Sequence, residues 1–234
     1  LPGIQIVGVD VHIGSQITDL TPMRLAFEKV VGLVREMRAE GLPISRIDLG
    51  GGLGIPYREG ETPASPAEYA SMIREVLGDL DVELILEPGR MIAGNAGIFV
   101  SRVEYIKERD DREFAILDAG MNDLMRPALY QAVHELRPVR MDPARSSRTY
   151  DVVGPICEST DRFAKGYSVP ELREGELVAF MSAGAYGAVM SNQYNTRPLC
   201  AEVLVRGNQS ALVRRVPTFE EIIASETVPE WLTS

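Results

Sequence analysis

Lysine is nearly absent from this chain: of the 24 cationic side chains in 234 residues only Lys29, Lys107 and Lys165 are lysines, and the other 21 are arginines. Cysteine is almost as scarce, with Cys157 and Cys200 alone. Two cysteines provide no disulfide framework, so a reducing cytoplasm is the expected compartment. Only two histidines are present, and no metal site is expected. Positive charge is in deficit, the 34 carboxylates setting the formal net charge at −10. No Lys/Arg cluster stands out to neutralise phosphates, which argues against nucleic acid or an anionic membrane as partner. A membrane-spanning run is lacking too. The uncharged stretch from Leu177 to Met190 is too short and too rich in Gly, Ser and Ala for a bilayer that needs about 20 apolar residues. Nothing at the start has the pattern of a signal peptide.

What is present is ordinary globular composition, 45% hydrophobic and 25% charged, enough for a substantial core in one or two domains. The chain begins at Leu1 without a methionine and runs almost at once into strand-like sequence, so it is expected to be a piece of a longer protein.

The first part alternates strands and helices. Ile4 to Val11 is β-branched or small, as in a strand buried on both faces. Thr21 as N-cap and Pro22 at the first helical position open a helix whose stripe is Phe27, Val30, Val31, Val34 and Met37, ending at Gly41. A short strand follows at Ile47 to Leu49. Ser65-Pro66-Ala67-Glu68 reads as a capping box for a second helix with Tyr69, Met72, Ile73, Val76 and Leu80 inward, before a strand at Val82 to Leu86. This order implies parallel strands with right-handed crossovers, hence an α/β layer or part of a barrel, over residues 1–97. From 98 to 234 alternating runs at Ile98–Ile106, Phe114–Leu117, Glu176–Met181, Leu199–Val205 and Ala211–Val216 predict a mainly β domain. Between Met121 and Tyr150 an Arg- and Pro-rich excursion carries a short helical pattern near Ala128–Leu136.

Each α/β strand ends in a polar or glycine cluster: His12-Ile13-Gly14-Ser15-Gln16, Gly50-Gly51-Gly52-Leu53-Gly54, and Glu87-Pro88-Gly89-Arg90. Loops after strand C-termini build the active sites of parallel α/β folds, so three clusters in register point at one pocket. A glycine triple lets backbone N–H groups approach a phosphate, although a plain turn has the same sequence. Glu87 suits a protonated ring nitrogen and Arg90 a phosphate or carboxylate, while Pro-Gly between charges is equally an exposed turn. His12 is read either as a catalytic group or as a satisfied strand-end histidine. Further on, Cys157-Glu158-Ser159 sets a thiol beside a carboxylate in a turn, against the alternative of an inert buried cysteine. Ala183-Gly184-Ala185-Tyr186-Gly187 places one tyrosine among small residues, for a ligand or for the core.

Taken together and in this order, the clusters resemble the fold-type III pyridoxal-phosphate decarboxylases, whose barrel is alanine-racemase-like, over about Val7 to Cys200. The run Asp118 to Tyr130 (Asp-Ala-Gly-Met-Asn-Asp-Leu-Met-Arg-Pro-Ala-Leu-Tyr) and Cys157-Glu-Ser are most similar to the members of that family acting on diaminopimelate. The resemblance implies the C-terminal part of a (β/α)8 barrel followed by a β-barrel-like domain, pyridoxal 5'-phosphate as cofactor, and decarboxylation of meso-2,6-diaminopimelate to L-lysine. Ornithine, arginine or carboxynorspermidine decarboxylation, or a non-catalytic regulatory relative, are the alternatives.

By the same resemblance His12 stacks on the pyridine ring. Ser15, Gly52, Gly89 and Arg90 surround the cofactor phosphate, and Glu87 faces the ring nitrogen. Arg90, Arg126, Tyr130 and Glu158 bind the small amino-acid substrate, Tyr186 touches cofactor and substrate, and Cys157 is the proton donor. Cys157 and Glu158 reach the partner subunit's site, which implies a homodimer with active sites at the interface. The family also needs a lysine bonded to the cofactor, on a strand before the His-Ile-Gly-Ser cluster. Lys29 falls in a helix, Lys107 in a charged turn and Lys165 in a loop, so none fits. With three candidate barrel strands instead of eight, the chain is expected to be a C-terminal portion that lacks this lysine and exposes apolar strand edges.

Overall fold

Three strand-helix repeats open the chain, as their hydrophobic periods require: β1 (Gly8–Asp10), α1 (Thr21–Ala39), β2 (Arg46–Asp48), α2 (Pro66–Leu77), β3 (Glu83–Ile85) and the short α3 (Gly89–Ala93). The computed structural model describes residues 2–232. They fall into two units: the residues up to Ile98 with Ser182–Ala185, and Phe99–Met181 with the residues from Tyr186 on. The division lies one residue past the expected 97/98 boundary. Ser182–Ala185 returns to the first unit because backbone meets backbone there. Ala183 N donates to Gly97 O at 2.8 Å and Gly184 N to Gly94 O at 3.0 Å, and a Cβ on Gly184 would overlap the Ala93 carbonyl.

In the first unit β1, β2 and β3 form a parallel sheet in that order, with rows running from Gly8, Arg46 and Glu83 to Asp10, Asp48 and Ile85. Helices α1 and α2 supply the core through Met23, Phe27, Val34, Tyr69 and Met72, packed with Ile47. The expected capping box opens α2: Ser65 Oγ accepts from Glu68 N at 3.2 Å, and the Glu68 carboxylate accepts from Ser65 N at 2.8 Å. The start of α1 differs from expectation. Thr21 is its first residue, and Asp19 Oδ1 accepts from both its amide and its hydroxyl at 2.9 Å. A carboxylate two residues earlier thus does the work assigned to the threonine.

The strand expected over Ile4–Val11 is reduced to Gly8–Asp10, and Ile4 and Ile6 are 66% and 51% exposed. Among the described residues Ile4 to Ile6 have no strand neighbour, so their apolar side chains do not find the two-sided cover of a parallel sheet. All three residues of the edge strand β3 are likewise exposed.

The second unit comprises β4 (Phe99–Arg109), β5 (Arg112–Leu117), α4 (Arg126–Tyr130), β6 (Leu136–Pro138), β7 (Ser147–Val153), β8 (Arg162–Pro170), β9 (Leu177–Phe180), β10 (Glu202–Arg206), β11 (Gln209–Arg214) and α5 (Phe219–Ile223). Six strands form one sheet in the order β6-β9-β4-β5-β7-β8, and β10 pairs only with β11. A register shift after Val103 bends β4, which pairs with β9 before it and mainly with β5 beyond it. The two edge strands are linked: the Tyr167 hydroxyl of β8 accepts from Leu136 N of β6 at 3.0 Å and donates to Leu136 O at 3.3 Å. The sheet is therefore a nearly closed barrel around Val103, Leu117, Tyr150, Val152, Val178 and Phe180.

Several expectations change here. Lys107 belongs to β4 and Lys165 to β8, not to a turn and a loop. The helix expected over Ala128–Leu136 is Arg126–Tyr130, because the chain turns at Gln131 (φ +54°) and Leu136 already begins β6. β7 and β8 escaped because their alternation is broken: the pair slips register around Val152, and Asp151 Oδ1 takes the amide of Gly166 at 2.8 Å. Among the described residues no helix is long and apolar enough to cross a membrane.

Candidate active site

The parallel ladder carries the three strand-end clusters side by side. Beyond the last row of Asp10, Asp48 and Ile85, hydrogen bonds from Val11 N to Asp48 O (3.0 Å), Leu49 N to Ile85 O (3.1 Å) and Glu87 N to Gly50 O (2.9 Å) continue the pairing. His12, Gly50 and Glu87, each two residues past that row, therefore form one further row.

The glycine triple has a packing role of its own. A Cβ on Gly51 would overlap the Glu87 carbonyl, one on Gly52 (φ +97°) the Gly14 carbonyl, and one on Gly50 (φ +63°) would stand 2.6 Å from Val11 O. Glycine is needed because three loops close backbone to backbone. His12 is exposed, and its Nδ1 accepts from Gly51 N at 3.3 Å. Gln16 braces the same loops, donating to Ile55 O at 2.6 Å and accepting from Ile55 N at 3.2 Å.

Arg90, at the second position of α3, is held at two points. It donates to Ser15 Oγ at 2.9 Å and to the Tyr57 hydroxyl, and its guanidinium carbon lies 5.7 Å from the centre of the Tyr57 ring. The cation is thereby tied to the loop after β1 through Ser15, and Glu87, three residues before it in the chain, is exposed. The Gly89 amide donates to Glu87 O at 2.8 Å. The Gly89 donor is thereby used within its own turn, and the space where a Cβ would stand is open. The first unit brings together His12, Ser15, Gly52, Glu87, Gly89 and Arg90, six of the residues singled out from the sequence.

The second unit holds the others. Cys157 and Glu158 are exposed on the turn between β7 and β8. Arg126 is buried at 7% exposure, its Nη1 2.8 Å from His134 Nε2, while His134 Nδ1 lies 2.9 Å from Met181 O. A guanidinium only donates, so Nε2 accepts and the His134 proton sits on Nδ1. One guanidinium nitrogen of Arg126 is thus committed to His134 inside the protein. Tyr130 is 63% exposed at the end of α4, and Tyr186 is 44% exposed with φ +58°, an uncommon conformation for a bulky residue. Cys200 is half-buried with Sγ 3.2 Å from Asp123 Oδ1. Burial, reinforced by Asp123, pushes its thiol up to about 12.

A comparison with known families decides the class. The pyridoxal-dependent decarboxylase C-terminal sheet domain matches residues 14–184, more than half of the chain. The chain belongs to the pyridoxal-dependent decarboxylases. Among curated relatives, the diaminopimelate decarboxylase of Pseudomonas aeruginosa is 50% identical over 228 residues, 97% of this chain and 54% of that protein. Among solved structures, diaminopimelate decarboxylase of M. jannaschii in co-complex with L-lysine is 36% identical, with TM-score 0.92, over 97% of this chain and 53% of that one. The Helicobacter pylori diaminopimelate decarboxylase complexed with L-lysine is 38% identical with TM-score 0.87, covering 94% and 54%. The chain spans about half the length of these relatives and matches their C-terminal half.

The cofactor of this decarboxylase family carries a phosphate and a pyridine nitrogen, and the donor set of the first unit suits both. A hydroxyl and a guanidinium hydrogen-bonded at 2.9 Å are both groups that donate to an anion, and an exposed carboxylate two residues past the strand row suits a protonated nitrogen. No lysine stands in any of the three clusters. Lys29, Lys107 and Lys165 are all exposed, on α1, β4 and β8. Sequence reasoning missed Tyr57, His134 and Asp161. Tyr57 and His134 carry no local signal, whereas Asp161, four residues after Cys157 in a run of turn formers, has the pattern of a side chain that accepts from its own turn.

Proposed function

We propose that this chain supplies the cofactor and substrate groups of a cytosolic pyridoxal-phosphate decarboxylase that converts meso-2,6-diaminopimelate to L-lysine and CO2. The observation that carries the reading is the row His12, Gly50, Glu87 with the Ser15–Arg90 pair at 2.9 Å beside it, in a chain half identical to a diaminopimelate decarboxylase. In this reading the first unit forms the last strands of a (β/α)8 barrel. The exposed apolar side chains before β1, Ile4 and Ile6, and on the opposite edge strand β3, Ile85, are then surface for further strands.

Bound pyridoxal phosphate supplies the electron sink for the pair left behind when CO2 departs. Ser15 and Arg90 hold its phosphate, with Gly52 and Gly89 permitting close backbone approach. Glu87 keeps the ring nitrogen protonated, and His12 covers the ring face. Cys157, exposed on its turn, returns a proton to the carbon that has lost CO2. Glu158 reads the distal ammonium of the substrate, Arg126 and Tyr130 the distal carboxylate, and Tyr186 touches both substrate and cofactor. The chain works as a homodimer in which Cys157 and Glu158 serve the partner subunit's site.

The test joins the portion of the P. aeruginosa relative that precedes the match to this chain, providing a lysine-bearing half. With cofactor added, CO2 release is measured from diaminopimelate, ornithine and arginine. Turnover of diaminopimelate well above the other two is expected. A folded chimera that releases CO2 fastest from ornithine or arginine, or from none of the three, overturns the reading.

A further inference from the structure

One buried carboxylate ties together two segments that carry functional side chains. Asp161 is 4% exposed. Its Oδ2 accepts from Ile156 N and its Oδ1 from Met121 N, both at 2.6 Å. Its backbone closes the same turn, the Asp161 carbonyl accepting from Gly154 N at 3.0 Å and its amide donating to Glu158 O at 3.0 Å. Ile156 and Glu158 flank Cys157, and Met121 leads through Asn122 and Asp123 into α4 with Arg126 and Tyr130. A second tie runs in parallel, the Thr160 hydroxyl lying 3.6 Å from Met121 Sδ.

We propose that Asp161 is a positioning residue that fixes the Cys157 turn against the Met121 segment, so that the thiol is presented in one orientation. The inference rests on the reading of Cys157 as proton donor.

Chemistry favours a carboxylate at this point. Two backbone N–H groups converge on it from different segments, and a group that only accepts satisfies both. Asparagine of the same shape would turn an NH2 toward one of those amides and leave two donors face to face in a buried place. Burial pushes the Asp161 carboxyl upward, while the Ile156 and Met121 amides, then Arg197, favour its charged form. The space is also reserved: a Cβ on Gly154 would strike the Asp161 carboxylate oxygens and come within 2.7 Å of Ala119 O. Gly154 is thus the complement of the clamp, and Gly154→Ala displaces the carboxylate without altering it.

The experiment uses Asp161→Asn and Gly154→Ala, each in the full chain and in the lysine-completed chimera, with Cys157→Ala in the chimera alongside. Hydrogen exchange in the full chain reads the clamp. Both variants are expected to speed exchange at Met121 and at Ile156 by about tenfold or more, while the rest of the β unit keeps its protection. In the chimera kcat is expected to fall about 10²-fold with KM and cofactor retention little changed, since a misplacement of about 1 Å costs that much. In D2O the deuterium at the carbon that lost CO2 is expected to lose stereochemical purity. Unchanged exchange at either amide, or unchanged kcat and stereochemistry once exchange has risen, overturns the role of Asp161. If Cys157→Ala also leaves turnover unchanged, the proton-donor reading falls with it. If Cys157→Ala abolishes turnover while Asp161→Asn does not, only the positioning role falls.

Discussion

Within the glycine triple the tightest geometric demand falls on Gly51, and alanine there tests it. Gly51 donates to His12 Nδ1 at 3.3 Å and lies against the loop after β3, where an added Cβ would overlap the Glu87 carbonyl. The obstacle is backbone, so no rotamer change relieves it, and the loops carrying His12 and Glu87 must separate. Overpacking of this kind costs about 1–3 kcal/mol, more when backbone has to move. The lower entropy of the unfolded alanine variant offsets only about 0.4–1 kcal/mol. For a chain of this size, a net loss of about 1–2 kcal/mol lowers Tm by about 2–8 °C. Gly32→Ala is the matched control. Gly32 is inside α1, and a Cβ there would meet nothing within 4 Å. Alanine in a helix interior is worth about 0.5–1 kcal/mol over glycine, so that variant gains stability. Thermal melts of both, with cofactor retention measured in the chimera, give the assay: Gly51→Ala melts lower and retains less cofactor, and Gly32→Ala melts slightly higher with retention unchanged. A Gly51→Ala protein melting at or above the parent temperature refutes the claim that these loops meet backbone to backbone.

Two further outcomes follow from the second unit. At pH 8 one thiol per folded chain reacts with an alkylating reagent, at Cys157, and two react in denaturant, because Cys200 is held neutral up to about 12 by burial and by Asp123. The folded Cys200 keeps its proton after the unfolded thiol, with an ordinary value of 9.0, has lost it. Its linkage therefore lowers stability as pH rises from that value toward about 12, a slope that Cys200→Ala removes from melts taken across that range. Tyr150→Phe leaves the Leu172 amide, now 3.2 Å from the Tyr150 hydroxyl inside the barrel, without its acceptor. Denaturant titration is expected to show a loss of about 1–2 kcal/mol, and a change under a few tenths contradicts the assignment.

The helices and cluster order of the first unit were legible because their signals are local: a capping box at Ser65–Glu68, helical stripes on α1 and α2, and three polar or glycine runs at strand ends. The depth of the strands was not local. Ile4 and Ile6 have the composition of a buried strand, yet only neighbouring strands decide whether burial occurs. In the second unit β7 and β8 hid behind a register slip and an aspartate that pairs with Gly166. The same limit governs the site. Ser15, Glu87 and Arg90 stand in motifs, whereas Tyr57 earns its place through a partner 33 residues away. Asp161 does so through an amide 40 residues distant. Arg126 was legible as a motif residue, but its burial against His134 depends on the short helix ending at Gln131.

The central claim is that this chain holds the cofactor's phosphate and ring while the amine that bonds it comes from elsewhere. Borohydride reduction of the cofactor-loaded chimera, followed by peptide mapping, tests it most directly. The predicted result is cofactor fixed to a lysine of the added half, none on Lys29, Lys107 or Lys165, and none kept by the 234-residue chain alone after washing. Cofactor fixed to one of those three lysines, in a chain that by itself releases CO2 from diaminopimelate, would contradict the account.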